Sequence, residues 1–188
     1  MLPFRKLSLF LVLLAALRAA PASATQVIAL DTRALVSSSH DIVVGEVLAA
    51  RSYWNPERTR IYTDVTVRVN ETLRGATGTL TLTQMGGVVD GARYTVPGSP
   101  EFKPGEEALL FVWRDPSGRA QVNGLAQGKF DIRRDPSTGA RLVQRTLPGL
   151  AVKDARSLSL VKSGERAPQL KLDDLLGEVR RAMAEDGR

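Results

Sequence analysis

Between Ile61 and Asn70 apolar and polar positions alternate without a break. Ile61, Thr63, Val65, Val67 and Val69 fall on one side, Tyr62, Asp64, Thr66, Arg68 and Asn70 on the other. A period of two places successive side chains on opposite faces of an extended chain, so this segment predicts a strand with one buried face. Leu80 and Leu82, spaced between Thr79, Thr81 and Thr83, repeat the pattern. Two other runs do not alternate. Asp41 to Leu48 is a run rich in β-branched residues, and Ala108 to Trp113 is continuously apolar. Both predict strands covered on two faces, the second of them central. Ala120 to Asn123, Lys129 to Arg133 and Arg141 to Arg145 complete the expected set.

Turn chemistry separates these runs. Asp115-Pro116-Ser117-Gly118 and Asp135-Pro136-Ser137-Thr138-Gly139 each stand between two strands. Proline presets φ at the second position of a turn, and the aspartate side chain can bond the following backbone. Asn55-Pro56-Glu57 serves the first hairpin in the same way. Pro97 to Pro100 and Lys103-Pro104-Gly105 mark a longer loop before the central strand, and Gly86-Gly87 a bulge or turn.

Past Gln169 the period changes. Leu172, Leu175, Leu176, Val179 and Met183 form one apolar helical stripe. Asp173 and Asp174 open it and Arg180 and Arg181 stand further along, which suits the helix dipole. A helix over about 170–184, packed on the barrel, is expected. The fold class expected is therefore mainly β: a small closed Greek-key barrel over 40–145, a lead-in at 25–39 with room for a short helix, a weakly patterned connector at 146–168, and a C-terminal amphipathic helix and tail at 169–188.

Residues 1–24 have another pattern. Arg5 and Lys6 precede an apolar run from Leu7 to Leu17, Arg18 closes it, and Ala22-Ser23-Ala24 offers a small-x-small site. These are the features of a cleavable signal peptide, with an apolar core shorter than the roughly 20 residues a membrane span needs. Cleavage after Ala24 would leave Thr25 first, no membrane span, and a periplasmic or secreted protein. This reading changes the electrostatics. The leader holds three of the 26 basic residues and none of the 20 acidic ones, so half of the net charge of +6 belongs to it. With so small a remaining charge and an aromatic content of 5%, a nucleic-acid partner is not expected. The absence of cysteine removes disulfides, thiolate metal sites and lipid attachment, and suits a bacterial envelope protein better than a small disulfide-rich secreted domain.

Little in the chain suggests catalysis. His40 is the sole histidine, so two-histidine metal motifs are impossible. No serine lies in a Gly-x-Ser-x-Gly elbow, and no glycine loop carries the P-loop lysine. Glu106 and Glu107 are neighbours, and neighbours in a strand point to opposite faces. No catalytic residue, metal site or cofactor is expected. Two features invite a binding role. Tyr53 and Trp54 are expected at a turn after the first strand, where they anchor a partner or cap a barrel end. Asn123, Gln127 and Lys129 cluster around two glycines in what reads as a loop.

From Asp41 to Ile132 the order of elements resembles a known family. A hydrophobic Asp-Ile-Val-Val strand is followed by a long alternating strand ending in Glu71-Thr72-Leu73-Arg74-Gly75. Then comes Phe102-x-Pro104-Gly105-Glu106-Glu107 running into Leu109-Leu110-Phe111-Val112. This resembles the netrin-like domain of tissue inhibitors of metalloproteinases, and is similar to exported bacterial proteins of the same plan. The resemblance implies an OB-fold, a closed five-stranded barrel with an attached helix. The inhibitors chelate the protease zinc through an N-terminal cysteine, a role this cysteine-free chain does not inherit. The expectation is an exported, non-enzymatic binding module for a secreted or envelope protein. An inhibitor or accessory protein of a secreted protease, or an enzyme with carboxylate chemistry, are the alternatives.

Overall fold

A computed structural model describes residues 25–153, 160–161 and 169–187. The proposed signal peptide and much of the connector lie outside the described residues. In chain order the elements are β1 (Thr25–Ile28), α1 (Thr32–Ser38), β2 (Asp41–Trp54), β3 (Ile61–Arg74), β4 (Thr79–Met85), the short hairpin β5 (Gly87–Val89) and β6 (Ala92–Tyr94), β7 (Glu107–Arg114), β8 (Ala120–Val122), a single 3-10 turn (Leu125–Gly128), β9 (Lys129–Arg134), β10 (Arg141–Gln144), β11 (Leu150–Lys153), β12 (Leu160–Val161), β13 (Leu170–Lys171) and α2 (Leu172–Asp186).

Five of these strands close a small mixed barrel. β2 pairs antiparallel with β3 on one side and β7 on the other, β3 pairs with β4, and β7 with β8. The circle is completed by a parallel pairing of β4 and β8 at Leu82 and Ala120. Inside lie Val43, Val47, Val65, Val67, Leu80, Leu82, Ala108, Leu110, Val112, Ala120 and Val122. The inward set of the alternating strand is thus the expected one. Gly45 belongs to this packing, because a Cβ there would meet Val67 Cγ1 at 2.6 Å and the carbonyl oxygen of Arg68 at 2.7 Å.

A second core lies outside the barrel. The sheet continues from β7 through β9 and β10 to β13. Against its outer face pack α1 and α2, with Leu35, Val36, Leu172, Leu175, Leu176 and Val179 meeting Ile42, Val44, Leu109, Phe111, Phe130 and Ile132. The odd residues Val43 and Val47 of β2 therefore face the barrel and the even residues Ile42 and Val44 face the helices, which is why neither run alternates. The C-terminal helix stands where expected, shifted by two residues.

The first strand departs from expectation. β2 does not stop near Leu48. Val47 faces Val67 and Ala49 faces Thr66, so Leu48 is an extra residue, a bulge, and pairing then runs unbroken to Trp54 opposite Ile61. Tyr53 and Trp54 are consequently the last residues of a strand, not of a turn. The turn that follows is built by Asn55, whose Oδ1 accepts from the backbone N–H groups of Thr59 and Arg60. Asp115 and Asp135 cap their hairpins in the same manner, each accepting at 2.8 Å from the backbone of the serine two residues on.

Candidate functional site

Beyond the bulge, β2 and β3 outrun the closed part of the barrel, and β4 accompanies them. Their inward faces form cross-strand rows. The row at the end of the barrel interior, Ala50–Val65–Leu82, is apolar. The next row outward is Ser52–Thr63–Gln84, and it is polar. Over it fold the β5–β6 hairpin and the loop 95–103, leaving a cleft of about 850 Å³. Val65, Met85, Val88, Tyr94, Val96 and Phe102 give the walls an apolar character, while Arg93, Glu101 and Lys103 bring charge. Val88 and Tyr94 are among the large apolar side chains of the chain that stay substantially exposed.

The polar row has a defined hydrogen-bond direction. The Thr63 hydroxyl donates to the carbonyl oxygen of Gly86 at 2.7 Å. Its single proton is thereby used, so in the 2.8 Å contact between the two hydroxyls Ser52 is the donor. The lone pairs of Ser52 Oγ are left to accept. Gln84 is 8% exposed, and its buried Nε2 has no hydrogen-bond partner among the described residues. A half-turn of the carboxamide exchanges nitrogen and oxygen, so the group can offer either a donor or an acceptor. Gly87 adopts φ +140°, and a side chain there would run into the hydroxyls of Ser52 and Thr63. Glycine thus lets the hairpin lie directly on the polar row.

The residues singled out from sequence fall into two groups, Tyr53 and Trp54 at the end of β2 and Asn123, Gln127 and Lys129 around the 3-10 turn. Tyr53 lies on the outer face, stacked on Tyr62 at 6.3 Å, with its hydroxyl donating to Asp64 at 3.2 Å. Burial, then the Asp64 charge, push its phenol pKa above the ordinary value. Trp54 carries the Arg58 guanidinium over its ring at 5.8 Å, and its Nε1 is buried without a partner among the described residues. Asn123 is buried and donates to the hydroxyls of Ser38 and Ser39, holding the end of α1. Gln127 accepts from the backbone of Leu30 and donates to the carbonyl of Ile28, holding the segment after β1. Lys129 is buried in ion pairs with Asp131 and Glu106 and lies 5.1 Å from the Phe102 ring. It therefore supports a cleft wall from behind. The polar atoms of Asn123, Gln127 and Lys129 are thus engaged with other parts of the protein.

Ser52, Thr63 and Gln84 were not singled out from sequence. One signal was available: Gln84 is the third position in the series Leu80, Leu82, Gln84, so the strand pattern assigns a carboxamide to the inward face. Its meeting with Ser52 and Thr63 depends on register across three strands, which a single sequence does not reveal.

His40 accepts from the backbone of Arg114 through Nδ1. Among the described residues no three histidine or carboxylate side chains gather as a metal site, and no helix is long and apolar enough to cross a membrane. Compared with known proteins, the chain has no significant match to a family model, a curated protein or a solved structure.

Proposed function

We propose that this chain is an exported, non-enzymatic binding module whose ligand occupies the cleft over the Ser52–Thr63–Gln84 row. The observation that carries the reading is Gln84. A buried amide left without a partner costs on the order of 1–3 kcal/mol, and a ligand acceptor would relieve that cost. The apolar walls supply contact area, and the few polar groups supply orientation, the usual division in a ligand site. Ser52 Oγ as acceptor and Gln84 as donor together complement a group that has both a carbonyl and an N–H, which is an amide.

Titration of the ¹⁵N-labelled protein with a library of amide-containing fragments tests this. Saturable shifts of the Gln84 side-chain signal, lost in Gln84→Leu for the neighbouring backbone signals, are expected. A library in which no fragment moves the cleft signals would overturn the reading.

The exported character rests on the leader pattern of Arg5, Lys6, the apolar run Leu7 to Leu17 and Ala22-Ser23-Ala24. Mass spectrometry of the exported protein should find Thr25 first; a retained Met1 would refute it. The OB-like reading is supported by the strand connectivity, in which the third strand of the barrel meets the fifth in parallel, while the netrin-like reading rests on the sequence resemblance alone. The inhibitors' zinc-chelating residue has no counterpart here, so protease inhibition is not part of the proposal.

A further inference from the structure

The edge of β2 beside the cleft is open. β7 pairs with β2 only from Asp41 to Glu46, and the 105–106 turn then bonds Val47. Beyond the bulge no described strand pairs with β2 on that side. Register shows which backbone groups are left over. The amide of Asn55 bonds the carbonyl of Arg60, and the amide of Gly86 bonds the carbonyl of Ile61. Bonded and non-bonded pairs alternate along an antiparallel ladder. Hence Ala49, Arg51 and Tyr53 bond β3, while Ala50, Ser52 and Trp54 turn their N–H and C=O groups outward, where no partner meets them among the described residues. Protected edges usually carry proline, a covering loop or inward charges. Residues 49–54 hold no proline, and Arg51, the one charge among them, points outward.

We propose that the cleft's occupant is an extended segment of a partner protein, with acidic and apolar residues in alternation, added as a strand to this edge of β2. The inference rests on the cleft being a binding site. The side chains of an added strand would alternate in step with β2. Those sharing the face of Ala50 and Ser52 enter the apolar cleft, and those sharing the face of Arg51 and Tyr53 stay outside. Charge selects acidic residues. Among the described residues, Arg51 on the outer face and Arg93 and Lys103 in the cleft lining are exposed and in no ion pair, against Asp64 across the strand from Arg51 and Glu101 as the acid of the lining. Main-chain bonds would supply affinity and the alternating pockets specificity.

The test pans a displayed library of random octapeptides against the chain and synthesises the enriched sequences. Alternating apolar and acidic peptides are expected, with affinity falling at raised salt. N-methylation along such a peptide should cost at least tenfold at every second residue and little between. Ala50→Pro removes an outward N–H and spares the ladder with β3, so it should weaken binding at least tenfold with an unchanged melting temperature. Gln84→Leu reports on the cleft separately. Peptides that bind with no two-residue period and ignore Ala50→Pro, yet lose affinity in Gln84→Leu, would overturn edge addition and keep the cleft. Loss in Ala50→Pro alone would overturn the cleft reading. A failure to enrich any peptide would overturn edge addition. A dimer in sedimentation that Ala50→Pro converts to monomer would make a second copy the occupant and overturn a peptide partner.

Discussion

Gln84 shows how one residue can work against the fold that holds it. Its two inward predecessors, Leu80 and Leu82, are core residues of the barrel, and a leucine would continue the series. Gln84→Leu is therefore expected to stabilise the protein by about 1 kcal/mol, because an unpartnered buried amide is replaced by apolar contact. Urea unfolding of the two proteins measures the difference. A less stable variant would mean that the carboxamide has structural bonds after all. Asp115 is the opposite case, a polar residue fully employed by its own turn. The Ser117 hydroxyl first, and then Arg119, lower its carboxyl to about 2 from 3.8. A depressed acid stabilises the folded state above its unfolded value, and that contribution disappears as pH falls through the folded value. The β7–β8 turn should thus loosen only between roughly pH 4 and pH 2. NMR titration should find the Asp115 midpoint near 2, moving up in Ser117→Ala. A midpoint in the ordinary carboxylate range would mean that the turn bonds do not persist in solution.

At the scale of elements, β3 is the strand most fully determined by its own sequence. Its alternation names the inward face, and Val67 is completely buried in the barrel beside Gly45. Val67→Asp places a charge where neither water nor a partner can reach it, so a loss of roughly 3 kcal/mol or more is expected, read from the urea midpoint. Arg68→Asp, one residue on and exposed, should cost far less. Equal effects would mean the faces were misassigned. The neighbouring β2 was legible only in part. Its first half is a β-branched run, but Ala49 to Trp54 has no clear period, and those residues are held extended by the ladder to β3 rather than by their own preference. The same limit hid the site. Glycines, prolines and the carboxamide around it were all visible as residues. What joins them is the parallel contact of β4 with β8 and the fold-back of the β5–β6 hairpin, and both depend on contacts between distant parts of the chain. Asn123 and Gln127 show the same limit: polar residues beside glycines resemble a loop surface, yet Asn123 bonds the serine hydroxyls at the end of α1 and Gln127 the backbone of Leu30.

On the scale of the whole molecule, the protein has two cores and one shared wall. β2 and β7 send alternate side chains into the barrel and into the helical layer, so neither core can lose its order without exposing the other's backing. Arg74 strengthens the link, since it extends from β3 to the carbonyls of Val36 and Ser39 and to Asp186 of α2. Were the helices an independent appendage, α2 would melt first and leave the barrel intact. The shared wall predicts a single transition instead. The chain offers separate reporters for the two layers. Both tryptophans, Trp54 and Trp113, sit on barrel strands, so their fluorescence follows the barrel. Ellipticity at 222 nm is weighted toward α1 and α2. Heating the protein while recording both signals should give superimposable curves with one midpoint, and reductant should not move it, because there is no cysteine to reduce. Leu176→Ala removes a contact made only in the helical layer and is expected to cost about 2–5 kcal/mol. In a cooperative molecule it should lower the tryptophan midpoint as much as the helical one. A tryptophan curve that stays in place while the ellipticity curve moves would show that the barrel stands without its helices, and that the two cores are separate folding units.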